Sequence, residues 1–516
     1  MKIIDVGVPR FWFLTSAING TSQVKSGATM TTRLSLFAQL LIYAAACIGS
    51  VDAGAVRKPP PLPPSVDAHG QIINSLAESA EWPVSIRDLN HAIRHASDYL
   101  IRHCNDDGKF TYQADTVDAE RFADSVKYNM LRHSGAIYAL SQAYARRPNK
   151  SIPPVMERAV NFLKTEAMGP LKKTDTKSSE EMWAVWSSEK VSGQKDQPPT
   201  AKLGGAGLAL VALTAMERIK KHSTSLEVLQ ALGRFVLFMQ DDDGGFTSKF
   251  ILSEGGKDTS FVSLYYPGEA SLGLLSLYEL DSDPKWLAGA AKAIKYLYNL
   301  RKDSDLDDIE PDHWALIATS KLMVHMADGG HPDCTRKQAL DHAVKVCKSM
   351  VLTPDELLET GGCLVDDHRT CPTSTRIEGY AAALTFLPNV TLPEQALRRL
   401  VEYNMDAGVR YLLRSQRVAG DVEDNMMGSF PGVYPPEESR RDGSTEVRID
   451  YVQHALSGLI GYERERFHQG KVRISMLRRI AEAIGWGLRR LVLTILSFVL
   501  VIGVMLWARP KSNKIH

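Results

Sequence analysis

Six short polar clusters in this 516-residue sequence each stand at the head of a run of small and apolar residues. They are Arg132-His133-Ser134-Gly135, Lys202-Leu203-Gly204-Gly205, Tyr266-Pro267-Gly268-Glu269, Pro311-Asp312-His313-Trp314, Arg376-Ile377-Glu378-Gly379 and Arg448-Ile449-Asp450-Tyr451. Their side chains suit acid–base chemistry on a polar substrate. Glu269, Asp312, Glu378 and Asp450 come from different clusters, so opposed carboxyl pairs are available, as glycoside hydrolysis requires. A carboxyl desolvated beside Trp314 or Tyr380 has its pKa raised toward that of a general acid. His133 and His313 are candidate bases for taking a proton next to a carboxylate, which opens lyase and epimerase routes. Arg132, Arg376 and Arg448 can grip a carboxylate through paired hydrogen bonds, which points to a uronic acid or another anionic glycan. Tyr265, Tyr266, Trp314 and Tyr451 offer faces for sugar stacking, whereas Tyr380 reads as core. Within the set, Glu378 and Asp312 are assigned the acid–base work, and Arg132 with Arg376 the clamp.

A structural reading competes with this one. Acidic residues at a helix start commonly serve as caps or dipole partners, and Asp312 fits a plain cap. Two histidines and three arginines at the same positions do not follow from the dipole, and they favour a site.

The elements that must gather these clusters follow from periodicity. Between about residues 90 and 465 the apolar residues recur at helical spacing, and strand-like alternation is scarce. Amphipathic, charged segments such as LNHAIRHASDYLIRHC and KWLAGAAKAIKYLYNLR alternate with segments apolar nearly all round, such as GGAGLALVALTAM and HWALIATSKLM. A helix apolar on every side must be covered on most of them. Six buried helices alternating with six half-exposed ones predict an all-α fold, a closed (α/α)6 toroid of helical hairpins. An open helical solenoid is the alternative that the same pattern permits. In a toroid the buried helices run parallel, so their N-termini and the six clusters meet in one funnel, where the helix ends favour negative charge. Acidic, glycine-rich turns ending in an aromatic (NDDGKFTY, QDDDGGFTSKF and QRVAGDVEDNMMGSFPGVY) follow the first, third and sixth outer helices and read as structural. Asp242 and Asp243 are held open as funnel residues.

These repeats, of the RHSGAIYAL, LGGAGLALVAL and YYPGEASLGLLSLYEL type, resemble the six-hairpin glycosidase superfamily. They are also similar to the (α/α)6 sugar epimerases of the N-acylglucosamine 2-epimerase and glucuronyl C5-epimerase kind. The resemblance covers roughly residues 90 to 465 and implies a carbohydrate site in the funnel, with catalysis by carboxylates, or by histidine or tyrosine in lyases and epimerases. QDDDGGF also resembles a repeat of terpene cyclases and protein prenyltransferases, whose toroids are similar.

The stretch CLVDDHRTC places Cys363, Asp366, Asp367, His368 and Cys371 close together. A Cys363–Cys371 disulfide, two free thiols, and a metal held by Cys363, Asp366, His368 and Cys371 all remain open; no metal or other cofactor is assigned to the site.

The formal charge of +1 provides no field to attract nucleic acid. The ends point to a membrane. Residues 1–29 fit no pattern, and residues 30–55 carry the basic, apolar and Ala53-Gly54-Ala55 parts of a signal peptide. Residues 56–88 hold the proline-rich linker RKPPPLPPSVD. After the toroid, assigned to 89–465, residues 466–490 form a basic amphipathic juxtamembrane segment. The uncharged 491–508 stretch is long enough to span a bilayer, and 509–516 is a basic tail. The sequence therefore predicts a membrane-tethered body facing periplasm or secretory lumen. It would act on a polysaccharide as hydrolase, lyase or epimerase. The rival readings are a glycan guide in assembly or export machinery that catalyses nothing, and an isoprenoid-handling toroid with an apolar, aromatic funnel.

Overall fold

The computed structural model describes residues 84–468 except 119, 123–127, 172–179, 196–197, 255 and 435–443. The expected signal segment, most of the linker, the juxtamembrane segment beyond 468 and the C-terminal span lie outside the described residues. Among the described residues, no helix is long and apolar enough to cross a membrane.

Twelve helices of the described chain form the body. The outer ones are α1 (Ile86–Arg102), α3 (Ile152–Phe162), α5 (Leu226–Phe238), α7 (Pro284–Arg301), α9 (Arg336–Met350) and α11 (Leu392–Ser415). The inner ones are α2 (Met130–Arg146), α4 (Leu203–Ile219), α6 (Tyr266–Asp281), α8 (His313–His325), α10 (Thr370–Ala383) and α12 (Ile449–Glu463). Each inner helix packs on the next, and α12 packs back on α2, so the ring closes and the open solenoid is excluded. Outer helices show the one-sided pattern of a half-exposed surface: α1 buries Leu89, Ala92, Ile93, Ala96, Tyr99 and Leu100. Inner α4 is instead buried at every residue from Leu203 to Thr214. Side-chain caps fix where helices begin. Asn129 accepts from the Leu131 amide ahead of α2, and Thr335–Gln338 and Thr391–Glu394 form capping boxes ahead of α9 and α11.

Glycine lets the ring draw tight. A Cβ at Gly207 of α4 would lie 2.5 Å from the Glu269 carbonyl oxygen of α6, and one at Gly273 would lie 2.5 Å from the Gly207 carbonyl. The acidic turns have a structural task. Gly108, Gly244 and Gly428 adopt positive φ of 87°, 94° and 92°, and a Cβ on each would strike the carbonyl of Arg158, Lys292 or His95. Each turn thus seats on another outer helix, α3, α7 or α1. Asp243, held open as a funnel residue, accepts the Gly245 amide inside its turn at 2.9 Å.

The body is not purely helical. A five-stranded antiparallel sheet runs β2 (Met168–Leu171), β3 (Met182–Ser187), β4 (Thr200–Lys202), β5 (Lys249–Ile251) and β6 (Gly256–Asp258), and β1 (Gln113–Asp115) pairs with β7 (Glu446–Arg448). β4 and β7 lead directly into α4 and α12, so these strands stand at the N-terminal rim of the inner ring. The longest has six residues, too few for alternation to register.

Candidate functional site

The barrel holds two cavities, stacked along its axis. The upper one, about 560 Å³, is lined from the first turns of the inner helices by Arg132, Tyr266, Glu269, His313, Trp314 and Asp450, with Tyr265, Arg376 and His454 among the other walls. The lower one, about 730 Å³, is lined from further along the same helices, including Tyr138, Ala215, Leu272, Ile317, Glu378 and Ser457. Inner-helix N-termini therefore share one mouth, as parallel inner helices require.

Glu378 does not stand at that mouth. Helix α10 begins at Thr370, eight residues earlier, which sets Glu378 more than two turns inside the barrel and on the wall of the lower cavity. Its Oε1 accepts from His454 Nδ1 at 2.8 Å. Burial raises its pKa, and the His454 hydrogen bond opposes that rise. His454 lines the upper cavity, and Gln453 Nε2 lies 3.4 Å from its Nε2. The His454 ring stands nearly perpendicular to His313 at 5.4 Å, and His313 in turn packs on Trp314 at 4.8 Å. Both ring nitrogens of His313 are buried with no partner among the described residues. Burial, followed by the field of His454, holds its pKa well below 6.5, so the ring is a neutral base at physiological pH.

Glu269 is the second unusual group. Its Oε2 is buried without a partner among the described residues, and a Cβ at Gly204 would lie 1.9 Å from that oxygen, so glycine is what leaves the carboxyl room. Burial, reinforced by the charge of Asp312, pushes its pKa up to about 8. It is therefore a neutral carboxylic acid at pH 7, able to donate.

The other sequence candidates are held in place by partners. Asp312 caps α8 through the Ala315 amide (2.9 Å) and is fully buried against Arg301 of α7 (2.9 Å), whose Nη1 donates to His342 Nε2 of α9 (3.1 Å). Asp312 does not line the upper cavity. His133 is a core histidine: its Nε2 donates to the Ala159 carbonyl at 2.9 Å and its Nδ1 meets the Tyr128 hydroxyl at 2.7 Å, among Phe110 and Phe162. Asp450 sits between Arg448 (2.6 and 2.9 Å) and Arg132 (2.9 Å). Arg448 also lies over the Tyr451 ring, and the Tyr451 hydroxyl donates to Glu446, so neither residue lines the cavity. Arg376 lines it, with Nη1 on the Leu364 carbonyl and a buried Nε that has no partner.

The sequence reading missed His454, Arg301 and His342. His454 was within reach, four residues after Asp450 and hence on the same helix face. Of the readings left open for Cys363 and Cys371, the structure has free thiols and no disulfide between them. Cys363 Sγ lies 3.1 Å from Thr373 Oγ1, and Cys371 faces Asp450. Of that stretch, Asp367 pairs with Arg369. Among the described residues, the group with metal-ligand spacing is instead His313, Glu378 and His454, each offering an atom within 4.8 Å of the others.

Neither a protein-family model nor a curated protein matches the sequence. Solved structures do match. A sugar epimerase from a ruminal bacterium aligns at 12% identity and TM-score 0.50, covering 73% of this chain and 98% of that one. Cellobiose 2-epimerase from Bacillus thermoamylovorans B4167 aligns at 11% and 0.50, covering 73% and 99%. The GH76A α-1,6-mannanase of Salegentibacter sp. HEL1_6 aligns at 13% and 0.49, covering 73% and 100%. At such identities it is the fold that is shared: the chain carries an (α/α)6 toroid similar to those of the two epimerases.

Proposed function

We propose that this protein is a carbohydrate-active enzyme that moves protons at a sugar carbon adjacent to a carbonyl or carboxylate, as an epimerase or isomerase does. One observation carries the reading. At the floor of a polar cavity stand two imidazoles, one oriented by a carboxylate and the other buried with both nitrogens unpartnered. With Nδ1 donating to Glu378, a neutral His454 carries its lone pair on Nε2, the atom that would take the proton. His313, from a different inner helix, would take up a proton from water in the cavity and deliver it to the other face, returning to its neutral form. Glu269, neutral at pH 7, would donate to the substrate oxygen on which charge develops. Two of the fold's structural neighbours are sugar epimerases, which accords with this chemistry.

Hydrolysis is less well served. It needs two carboxyl groups free to act across the bond, and Asp312 and Asp450 are neutralised by arginines. A purely binding role would suit a funnel whose carboxyls were all locked in salt bridges, and Glu269 is not. An isoprenoid would want an apolar funnel rather than this charged lining. We further propose an anionic sugar, a uronate, gripped by Arg376, whose buried Nε has no other partner. The leader and C-terminal span read from the sequence would hold the body on the outer side of a membrane, beside machinery that assembles or exports a polysaccharide.

The test is incubation of the purified protein with uronate-containing and neutral glycans in heavy water, with products read by mass spectrometry. Carbon-bound deuterium in unbroken sugars is the expected result. New reducing ends would mean a hydrolase and unsaturated ends a lyase, and unchanged material that the protein demonstrably binds would mean a binding module.

A further inference from the structure

The upper and lower cavities are separated by a single layer of side chains, and one hydrogen bond crosses it. His454 belongs to the upper wall and Glu378 to the lower wall, and they meet at 2.8 Å. Around this pair stand Trp314 and His313 above, and Leu272, Ile317, Ser457 and Tyr138 below, with the Tyr138 and Trp314 rings 6.5 Å apart. A carboxylate that served only to orient an imidazole could sit in sealed core, as Asp312 does. Glu378 instead borders a second cavity of about 730 Å³ that opens at the far end of the barrel.

We propose that the Glu378–His454 pair is a proton relay through the septum, connecting the reacting sugar in the upper cavity to solvent in the lower one. This rests on the proton-transfer reading above. His454 Nε2 uses its lone pair to take the substrate proton, and the C–H electron pair stays with the sugar as an enolate. The proton on Nδ1 passes to the Glu378 carboxylate at Oε1. Glu378, now a carboxylic acid, gives a proton to water in the lower cavity and returns to carboxylate, leaving His454 neutral with its remaining proton on Nε2. The reverse transfer, from lower-cavity water through Glu378 to Nδ1, with Nε2 giving up its proton to the enolate, restores the starting tautomer. The mouth occupied by a bound sugar is thereby spared from also passing the proton. Tyr138 lines the lower cavity with Glu378; burial raises its pKa, and the Glu378 charge adds to the rise.

The experiment follows hydrogen exchange into recovered substrate. D-glucuronate and cellobiose, each deuterated at the carbon next to the carbonyl or carboxylate, are incubated in ordinary water with the wild type, Glu378→Gln and Ala215→Trp. The last substitution fills the lower cavity from α4 without touching the upper one. A draining relay makes wild-type enzyme exchange label out of unreacted sugar for every product formed. Both variants are expected to retain label in recovered substrate, lowering the exchange-to-product ratio at least tenfold, with KM little changed in Ala215→Trp. A carboxylate that merely orients His454 lowers kcat and leaves the ratio unmoved. That result, or an unchanged ratio in a folded Ala215→Trp, overturns the relay. Absence of exchange and of epimer with wild type and every probe overturns the proton-transfer reading itself.

Discussion

Glu269 gives the sharpest quantitative test of the site. Its pKa of about 8 against an ordinary 4.5 corresponds to roughly 5 kcal/mol between its two protonation states, at about 1.4 kcal/mol per pKa unit. The sign follows from linkage. Between pH 4.5 and 8 the folded chain keeps a proton that the unfolded chain has released, so stability falls as pH rises across that window and levels off above it. From pH 6 to 8 the loss from this one group is about 2–3 kcal/mol. Glu269→Gln keeps size and hydrogen-bonding capacity and cannot ionise, so it deletes this component. Urea unfolding of both proteins at half-unit steps from pH 5 to 9 is the assay. The wild-type curve minus the variant curve should slope downward through pH 6–8. The buried histidines His133, His313 and His342 have lowered pKa values and act on the acid side, where they cancel in the difference. In turnover, kcat/KM of the wild type should fall as pH passes about 8, when the donor is lost. A flat stability difference would mean that Glu269 finds a counter-charge or water that neutralises the burial cost, and its assignment as a neutral donor would be withdrawn.

Three further outcomes follow from the same geometry. Asp312→Ala strands the buried Arg301 guanidinium beside His342, so it should cost about 3–5 kcal/mol in urea unfolding while Asp312→Asn costs less; equal small losses in both would show that the pair is not buried as described. Arg376→Met should raise KM for D-glucuronate tenfold or more and leave KM for a neutral disaccharide within twofold, and an equal rise for both would remove Arg376 from carboxylate recognition. Zn²⁺ should bind with one-to-one stoichiometry at His313, Glu378 and His454, inhibit in competition with the sugar, and be reversed by chelator. Calorimetry showing the same stoichiometry with His454→Ala would place the ion elsewhere.

The ring was legible because its signal is long-range and redundant. A segment such as Leu203–Thr214, buried on every side, can lie only inside a layer of other helices, and six such segments alternating with one-sided ones leave few architectures. What escaped was short or depended on distant partners. Strands of three to six residues carry no period. The Arg376 cluster reads in sequence as the head of α10, whereas the helix begins at Thr370; Pro372 lies in its first turn, where a missing N–H has no partner to lose. That misplacement moved Glu378 from the mouth to the septum. The roles of the acidic residues were hidden differently. Asp312 and Glu269 look equivalent in sequence, each in an inner-helix first turn. Asp312 meets Arg301 from an outer helix, while Glu269 meets a glycine, Gly204.

That last contrast bears on how such a site can persist in a stable protein. An unpaired buried carboxyl and an unpartnered imidazole each cost stability, and a barrel that left all its inward polar groups unsatisfied would not close. Here several of the inward groups are paired. Asp312, Asp450 and His133, which do not need to react, are tied to Arg301, to Arg448 and Arg132, and to Ala159 with Tyr128. Among the described residues, four unpartnered buried atoms gather at one cavity: both ring nitrogens of His313, Glu269 Oε2 and Arg376 Nε. Unfilled capacity concentrated in this way is what a substrate with a carbonyl, an adjacent C–H and a carboxylate would satisfy on binding. If that is its origin, a bound uronate should raise the melting temperature of the wild type and lose much of that effect in Arg376→Met, whereas groups left unpaired for structural reasons would give ligand-independent stability in both.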